Sequence, residues 1–280
     1  MKIYVAATDS RAAVNEDVVG HCGDAAWVID GATGIGASLL EAPSDASWLA
    51  LSADTALRTL LADDPTMPTR ELVREVIIQC RDALSAEAVR SPEGPHEHPS
   101  AAFTMLRRIG ETIELVALAD CEVIYRDEGG AARRFSSTSF EEVEGRTLAL
   151  TRDLLAIEPD LTPAELVERL MPQLQANRRL MNQPGGYWVL GTEPAAADNL
   201  AVLTLPVVPG QRFALASDGF MRLTELFDLA TPADLLAIDS DAAWQSWRDR
   251  LREIEQTPRS CHLYPRVKVH DDATLLTLEI

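Results

Sequence analysis

The sequence of 280 residues is 46% hydrophobic, which is enough for one large core or two small ones, and it carries a formal net charge of −19. So strong a negative charge argues against a partner such as nucleic acid or an anionic membrane surface. The four cysteines are far apart, form no zinc or redox motif and are expected to be reduced thiols. The N-terminal apolar run is too short for a signal peptide, and no stretch approaches the roughly 20 apolar residues of a membrane span, so we expect a cytoplasmic protein.

Short apolar or alternating runs predict nine β-strands. Turn-forming residues follow two of them, at 108–111 and 127–130, and such short connections favour antiparallel pairing. The predicted strands are Ile3–Ala6, Asp17–Cys22, Ala25–Ile29, Ala101–Arg107, Thr112–Ala119, Glu122–Arg126, Leu200–Leu205, Arg212–Ala216 and Ala273–Ile280.

Helical periodicity appears in four segments, at 48–61, 72–84, 163–170 and 244–254. The third begins with a capping box at Thr162, and Pro172 is expected to kink or end it; Ser240 or Asp241 caps the fourth. This order predicts an α+β fold with four layers, α-β-β-α, in which helices cover the outer faces of two antiparallel sheets packed face to face. The Pro-rich segment 91–99 is predicted to be a loop within one domain, 1–280.

Carboxylates lie at the ends of several predicted strands. Asp30-Gly31 ends one apolar run, Ser217-Asp218-Gly219 follows another, and Asp271-Asp272 precedes the last. Glu16-Asp17 begins a further strand. Several buried carboxylates that converge repel one another unless cations lie between them, and Mg²⁺ or Mn²⁺ prefer such oxygen ligands. A single Asp-Gly pair is also a common turn, so it is the ordered set that indicates a metal site.

This ordered set resembles the metal-dependent protein phosphatases of the type 2C (PPM) family over nearly the whole chain. The resemblance implies an α-β-β-α sandwich and two Mg²⁺ or Mn²⁺ ions, with a third, weaker ion in bacterial members. For the ions, it implies that Asp30 bridges two of them, that Glu16 and the Gly31 carbonyl bind one and Asp218 and Asp271 the other, and that Asp120 helps hold the third. For the reactants, it implies that Asp17 orients an activated water and that Arg11 binds the substrate phosphate. Alone, Asp120 could equally be a polar turn residue and Arg11 an ordinary surface arginine.

The sequence departs from the family at three places. Ala32 stands where many members have a histidine proposed as general acid, and Ala119-Asp120-Cys121 replaces Gly-Asp-Ser. The segment 136–199, the place of the mobile flap beside the active site, matches no family pattern. Within it, 182–188 is predicted to be a turn and a core strand rather than part of the substrate groove.

Other polar and aromatic residues have ordinary explanations. His96 and His98 are expected in a solvated loop rather than a metal clip, and Trp244 and Trp247 in helix packing. A role for His270 behind the metal ligands is left open.

The function predicted from the residues and the resemblance is hydrolysis of phosphoserine and phosphothreonine in proteins by a metal-activated water. The expected partners are a phosphorylated protein substrate and a cognate Ser/Thr kinase, with no nucleic acid and no membrane. Two alternatives stay open at this point, namely a catalytically silent regulatory module with the same fold and a phosphatase for a small phosphorylated molecule.

Overall fold

The structure, a computed structural model, describes all residues, 1–280, and contains ten strands and eight α-helices. The strands are β1 (Lys2–Asp9), β2 (Asp17–Cys22), β3 (Ala25–Ala32), β4 (Ser100–Ile109), β5 (Thr112–Leu118), β6 (Glu122–Arg126), β7 (Ala132–Phe135), β8 (Ala201–Pro206), β9 (Arg212–Ala216) and β10 (Ala273–Glu279). The helices are α1 (Asp45–Asp63), α2 (Thr69–Glu87), α3 (Glu141–Ile157), α4 (Pro163–Arg178), α5 (Asp218–Glu225), α6 (Pro232–Leu236), α7 (Asp241–Gln256) and α8 (Ser260–Leu263). No helix has both the length and the apolar character that a membrane span needs.

The strands form two five-stranded sheets in which every pairing is antiparallel. One sheet has the order β1-β10-β9-β6-β7 and the other the order β2-β3-β4-β5-β8. The predicted α+β class with two antiparallel sheets is confirmed.

Strand β3 shows how the layers stack. Its side chains alternate, so that Trp27 and Ile29 pack with helices α1 and α2, while Ala26 and Val28 pack with residues of the opposite sheet. Trp27 is fully buried, and its indole Nε1–H donates to Asp54 Oδ1 on α1 at 2.9 Å. Burial of a large apolar side chain contributes about 1.5–3 kcal/mol, so this alternation fixes the strand against both layers.

Helices α5, α6 and α7 cover the other sheet. Phe220 packs against Trp244 with the rings tilted and their centroids 4.8 Å apart, and both side chains are buried with Leu275 of β10. Trp247 is partly buried against the same cluster, so the helix-packing role predicted for the two tryptophans is confirmed. The four layers are therefore α1 and α2, the β2–β8 sheet, the β1–β7 sheet, and α5 to α7.

Helices α3 and α4 pack on each other within the segment 136–199. The capping box at Thr162 is formed, since its hydroxyl accepts from Glu165 N and the Glu165 carboxylate accepts from Thr162 N. Helix α4 continues for six residues beyond Pro172, so of the two expected effects, a kink or an end, the end is wrong. The buried Leu166 and Leu170 before the proline and the partly buried Leu174 after it pack in one cluster with leucines of α3, which holds the helix together across the missing hydrogen bond.

Other differences concern short or polar elements. Strand β7 and helices α3, α5, α6 and α8 were not predicted. The segment 182–188 forms the predicted turn, with Asn182 at φ +52° and Gly185 at φ +79°, but only a single-residue bridge, Met181 to Tyr187, in place of a strand. Tyr187 is nevertheless 4% exposed, so this turn belongs to the core.

Candidate functional site

The β2–β3 hairpin brings the first group of predicted site residues together. Its turn at Gly23 has φ +55°, a conformation that glycine adopts readily, and the resulting register pairs Asp17 with Asp30 across the two strands. Next to this pair, Gly31 N donates to the Glu16 carbonyl at 3.1 Å. A Cβ on Gly31 would lie 2.6 Å from that carbonyl oxygen, so only glycine fits this approach.

The second sheet delivers the remaining carboxylates to the same end of the sandwich. Ala216, the last residue of β9, pairs with Leu275 of β10 on one side and with Glu122 of β6 on the other. The residues just beyond these strand ends therefore lie side by side; they are Asp120, Asp218, Asp271 and Asp272.

The hydroxyl group of Thr274 links the sheets at this end, and that of Ser217 holds Thr274 within its own sheet. Ser217 Oγ accepts from Thr274 N at 3.0 Å, and Thr274 Oγ1 donates to Asp17 Oδ2 at 2.7 Å. Asp272 completes the link, because its Oδ2 accepts from Glu16 N at 2.7 Å. The side chains predicted from distant parts of the sequence thus meet across the sheet–sheet interface.

The pKa values show how closely these carboxylates crowd one another. Burial raises the pKa of Asp17 to about 7, and the charges of Asp271 and Asp272 add to the shift, whereas hydrogen bonds from Thr274 and Ser217 oppose it. Burial, followed by the charges of Asp17, Asp218, Asp271 and Asp120, raises the pKa of Asp30 well above its ordinary value.

The neighbouring carboxyls behave in the same way. Burial raises the pKa of Asp120 well above its ordinary value, and the charges of Asp218 and of Glu144 on α3 add to the effect. Burial also raises the pKa of Asp218, with Asp271 adding to the shift and Arg222 opposing it. The cluster therefore holds more negative charge than the protein around it neutralises.

This cluster has the chemistry of a site for divalent cations. Its donors are carboxylate oxygens, and Asp17 Oδ1 is buried without a hydrogen-bond partner. No three His, Cys, Asp or Glu side chains are already arranged as a metal-ion site. Glu16 Oε1 accepts from Thr33 Oγ1 at 2.6 Å and from the Ser44 hydroxyl, and Asp271 is paired with two basic side chains. A bound ion has to compete with those partners for these oxygens.

A cavity of about 210 Å³ opens beside the carboxylates. Arg11 is exposed and lines this cavity together with Glu16 and Asp271, so its guanidinium is available to an anion entering there. His270 also lines the cavity. Its Nδ1 lies 3.0 Å from Glu255 Oε2, so the ring forms its hydrogen bond with a buried carboxylate behind the site.

The helical insertion contacts the site through Arg178 of α4. Its guanidinium donates to Ser100 Oγ at 2.7 Å and to the Thr33 carbonyl at 2.9 Å. Burial lowers the pKa of this arginine, and the nearby Glu16 acts in the opposite direction. Because Thr33 in turn bonds Glu16, the insertion is connected to the first carboxylate of the set.

His96 and His98 lie outside this site. Both side chains are partly buried rather than solvated, and they flank Glu97, whose Oε2 accepts from Arg90 at 2.7 Å. Glu97 in turn closely approaches Gly34 and Gly36, so this loop supports the chain that follows Asp30.

Several residues that shape the site were not singled out from the sequence. The hydroxyl residues Ser217 and Thr274 lie within the acidic motifs described above, so their place in those motifs is the signal by which they could have been identified. Arg222 lies four residues after Asp218, one helical turn away, but a lone arginine there carries no pattern. Thr33, Ser44 and Arg178 act across long sequence separations, which the sequence does not reveal, and Lys268 lies only three residues before Asp271 but belongs to no recognisable motif.

Comparison with known proteins identifies relatives of the family and of the fold. The family model described as protein phosphatase 2C matches residues 9–264. No curated protein matches the sequence significantly. The crystal structure of the Mycobacterium tuberculosis serine/threonine phosphatase PstP/Ppp is 17% identical, with a TM-score of 0.55 over 100% of this chain and 99% of that one. A structure of the PstP catalytic domain with two manganese ions is 18% identical, with a TM-score of 0.55 over 100% and 99% of the chains. Stp1 from Staphylococcus aureus is 12% identical, with a TM-score of 0.56 over 99% and 93%.

Proposed function

Because this chain belongs to the protein phosphatase 2C family, we propose that it is a phosphatase that uses Mg²⁺ or Mn²⁺ to hydrolyse phosphoserine and phosphothreonine in proteins. The observation that carries the proposal is the convergence of Asp17, Asp30, Asp120, Asp218 and Asp271 at one end of the sandwich, with raised pKa values at four of them. Such a cluster gains stability when divalent cations neutralise it.

We assign the ligands by position in the family motifs. Asp30 would bridge two ions, with Glu16 and the Gly31 carbonyl on one and Asp218 and Asp271 on the other; Asp120 would help hold a third. The close approach of Gly31 to Glu16 and of Asp17 to Asp30 supports this assignment. Bound ions of this kind lower the pKa of water and offset charge on phosphoryl oxygens.

The side chains around the ions would then orient the reactants. Asp17 has one carboxylate oxygen held by Thr274 and the other unpartnered, so it can accept a hydrogen bond from the attacking water and fix its direction. Arg11 would bind the phosphoryl oxygens with its planar fork at the cavity wall. Ala32 offers no proton donor to the leaving alcohol, which would take its proton from solvent or another residue.

We further propose that residues 1–280 act as one catalytic domain in which the segment 136–199 is a divergent flap. The Arg178 contacts to Ser100 and Thr33 support a role for this segment beside the site. A phosphorylated protein and its cognate Ser/Thr kinase would be the partners.

Hydrolysis of p-nitrophenyl phosphate tests the proposal. We expect turnover with Mn²⁺ or Mg²⁺, none with EDTA, and a loss of about 100-fold or more in Asp218→Asn, because that change removes a proposed ligand. Asp82→Asn alters a carboxylate on the exposed face of α2 and should leave the rate unchanged. Absence of turnover with every metal ion would favour the silent module, and a preference for phosphometabolites over phosphopeptides would favour the small-molecule phosphatase.

A further inference from the structure

Asp271, one of the proposed ligands, has both carboxylate oxygens paired with basic side chains. Arg222 Nη2 donates to its Oδ2 at 2.6 Å, and Lys268 Nζ donates to its Oδ1 at 2.9 Å. An ion that binds Asp271 must therefore separate it from at least one of these cations.

The two cations are held with very different firmness. The Arg222 side chain is 11% exposed, and its Nη1 donates at 3.0 Å to Glu255 Oε1, which is itself fully buried. Glu255 is held in turn by Arg252 at 2.7 Å and by His270. Arg222 is therefore fixed within a network of ion pairs and leaves Asp271 Oδ2 engaged.

Lys268, in contrast, is held only at its tip. Its side chain is 57% exposed, and its Nζ has a single hydrogen-bond partner, Asp271 Oδ1. It lies in an irregular segment between α8 and β10, where neither a helix nor a strand restricts it. A partly exposed lysine–carboxylate pair contributes little stability, and the flexible stem lets the ammonium move to another position at small cost.

We propose that Lys268 is an intramolecular counter-cation that occupies Asp271 until a divalent ion displaces it, so that the Asp218–Asp271 end of the site binds its ion more weakly than the Glu16–Asp30 end. This inference rests on the proposed function, because it concerns the same metal centre. The displaced ammonium stays at the wall of the cavity that Arg11 also lines, where a phosphoryl group would enter.

Calorimetric titration with Mn²⁺ tests the proposal and does not depend on turnover. The wild-type protein should bind two ions with unequal affinity, before any third ion that Asp120 helps to hold. Lys268→Gln removes the competing cation, so the dissociation constant of the weaker of these two sites should fall about two- to fivefold, while that of the tighter site changes little. The chain offers a matched control, because Lys2 is its only other lysine and lies 4.2 Å from the ring of Tyr4, away from the site. Lys2→Gln should leave both constants unchanged.

A second measurement follows the lysine itself. Reductive methylation with ¹³C-formaldehyde labels the two lysines and the N-terminal amine, and it preserves their charge. During a titration with diamagnetic Mg²⁺, the Lys268 resonance should shift in step with filling of the weaker site, whereas the Lys2 resonance should not.

The outcomes separate this inference from the proposed function. If the wild-type protein binds two ions and Lys268→Gln leaves both affinities unchanged, the counter-cation role is wrong and the metal centre stands. A Lys268 resonance that stays fixed while both sites fill leads to the same conclusion. If neither protein binds Mn²⁺ or Mg²⁺, both the inference and the proposed function fail.

Discussion

The buried carboxylate Asp17 makes the stability of the metal-free protein depend on pH in an unusual direction. Its side chain is 4% exposed and its pKa in the folded protein is about 7, against about 3.9 for an unfolded aspartate. Between these values the native state holds a proton that the unfolded state has released. Native Asp17 therefore makes its largest contribution at low pH, and the free energy of unfolding falls as the pH rises from about 4 to about 7.

The size of this effect follows from the shift. Each pKa unit corresponds to about 1.36 kcal/mol, so a shift of about three units gives at most about 4 kcal/mol lost by pH 8. Asp17→Asn keeps the acceptor for Thr274 Oγ1 but cannot ionise. We expect the variant to be more stable than the wild type at pH 8 by up to about 4 kcal/mol, and the difference to shrink towards pH 4.

Urea unfolding in EDTA at several pH values measures this difference. Addition of Mg²⁺ should reduce the pH dependence of the wild type, because a cation beside Asp17 favours its charged form. Asp82→Asn, at an exposed position, should follow the wild-type curve. The reasoning is refuted if Asp17→Asn is less stable than the wild type at pH 8 without metal, or if wild-type stability rises between pH 5 and pH 8.

Two further predictions concern the backbone around the site. A Cβ on Gly219 would lie 1.9 Å from the Asp272 carbonyl oxygen, so Gly219→Ala should lower the free energy of unfolding by about 1–3 kcal/mol and reduce phosphatase activity. Gly145 on α3 has open space around it, so the control Gly145→Ala should raise the free energy of unfolding by up to about 1 kcal/mol. Ala119 has φ +58°, which costs an alanine about 1–2 kcal/mol, but its methyl group is buried in the core. The relief of strain in Ala119→Gly is therefore offset by the lost burial, about 0.8 kcal/mol, and by the greater freedom of the unfolded glycine, and the free energy of unfolding should change by less than about 1 kcal/mol. Denaturant titration measures all three variants. An Ala119→Gly variant destabilised by about 2 kcal/mol or more, or an unaffected Gly219→Ala, would contradict the respective argument.

The sequence was sufficient to predict the sheets because their strands carry strong apolar patterns. Glu122–Arg126 and Arg212–Ala216 have the predicted bounds, and β2 does as well. The strand missed, β7, is only four residues long, lies at a sheet edge and contains two arginines, so no apolar alternation marks it.

The helices that the sequence analysis did not predict are short, or have polar or glycine-containing sequences. Helix α3 buries Thr147 and Thr151 and contains Gly145, so its buried face lacks an apolar period. Thr151 Oγ1 donates to the Thr147 carbonyl, and Thr147 Oγ1 accepts from Asn177 on α4, which shows that a polar network replaces part of the apolar contact. Such pairings depend on tertiary neighbours, which a local pattern does not contain.

The strand-end carboxylates of the site could be predicted, because each stands beside an apolar run, but the partners that hold them could not. The hairpin register places Asp17 opposite Asp30, a relationship that the short turn at Gly23 already implies. Lys268 lies only three residues before Asp271, but Arg222 is 49 residues away on α5, and only the folded chain brings this arginine to the carboxylate.

Helix α5 shows why the motif around Asp218 is more than a turn. Asp218 occupies the first position of this eight-residue helix and Arg222 lies one turn later, so one face of the helix supplies both a proposed ligand and a counter-charge for its neighbour Asp271. A helix this short is only marginally stable by itself, and burial of its own side chains Phe220 and Met221 in the core stabilises it. The absence of a side chain at Gly219 then allows the Asp271–Asp272 segment to approach the helix. The position of the proposed metal ligands therefore depends on packing in the outer helical layer, and substitutions in that layer should alter metal affinity as well as stability.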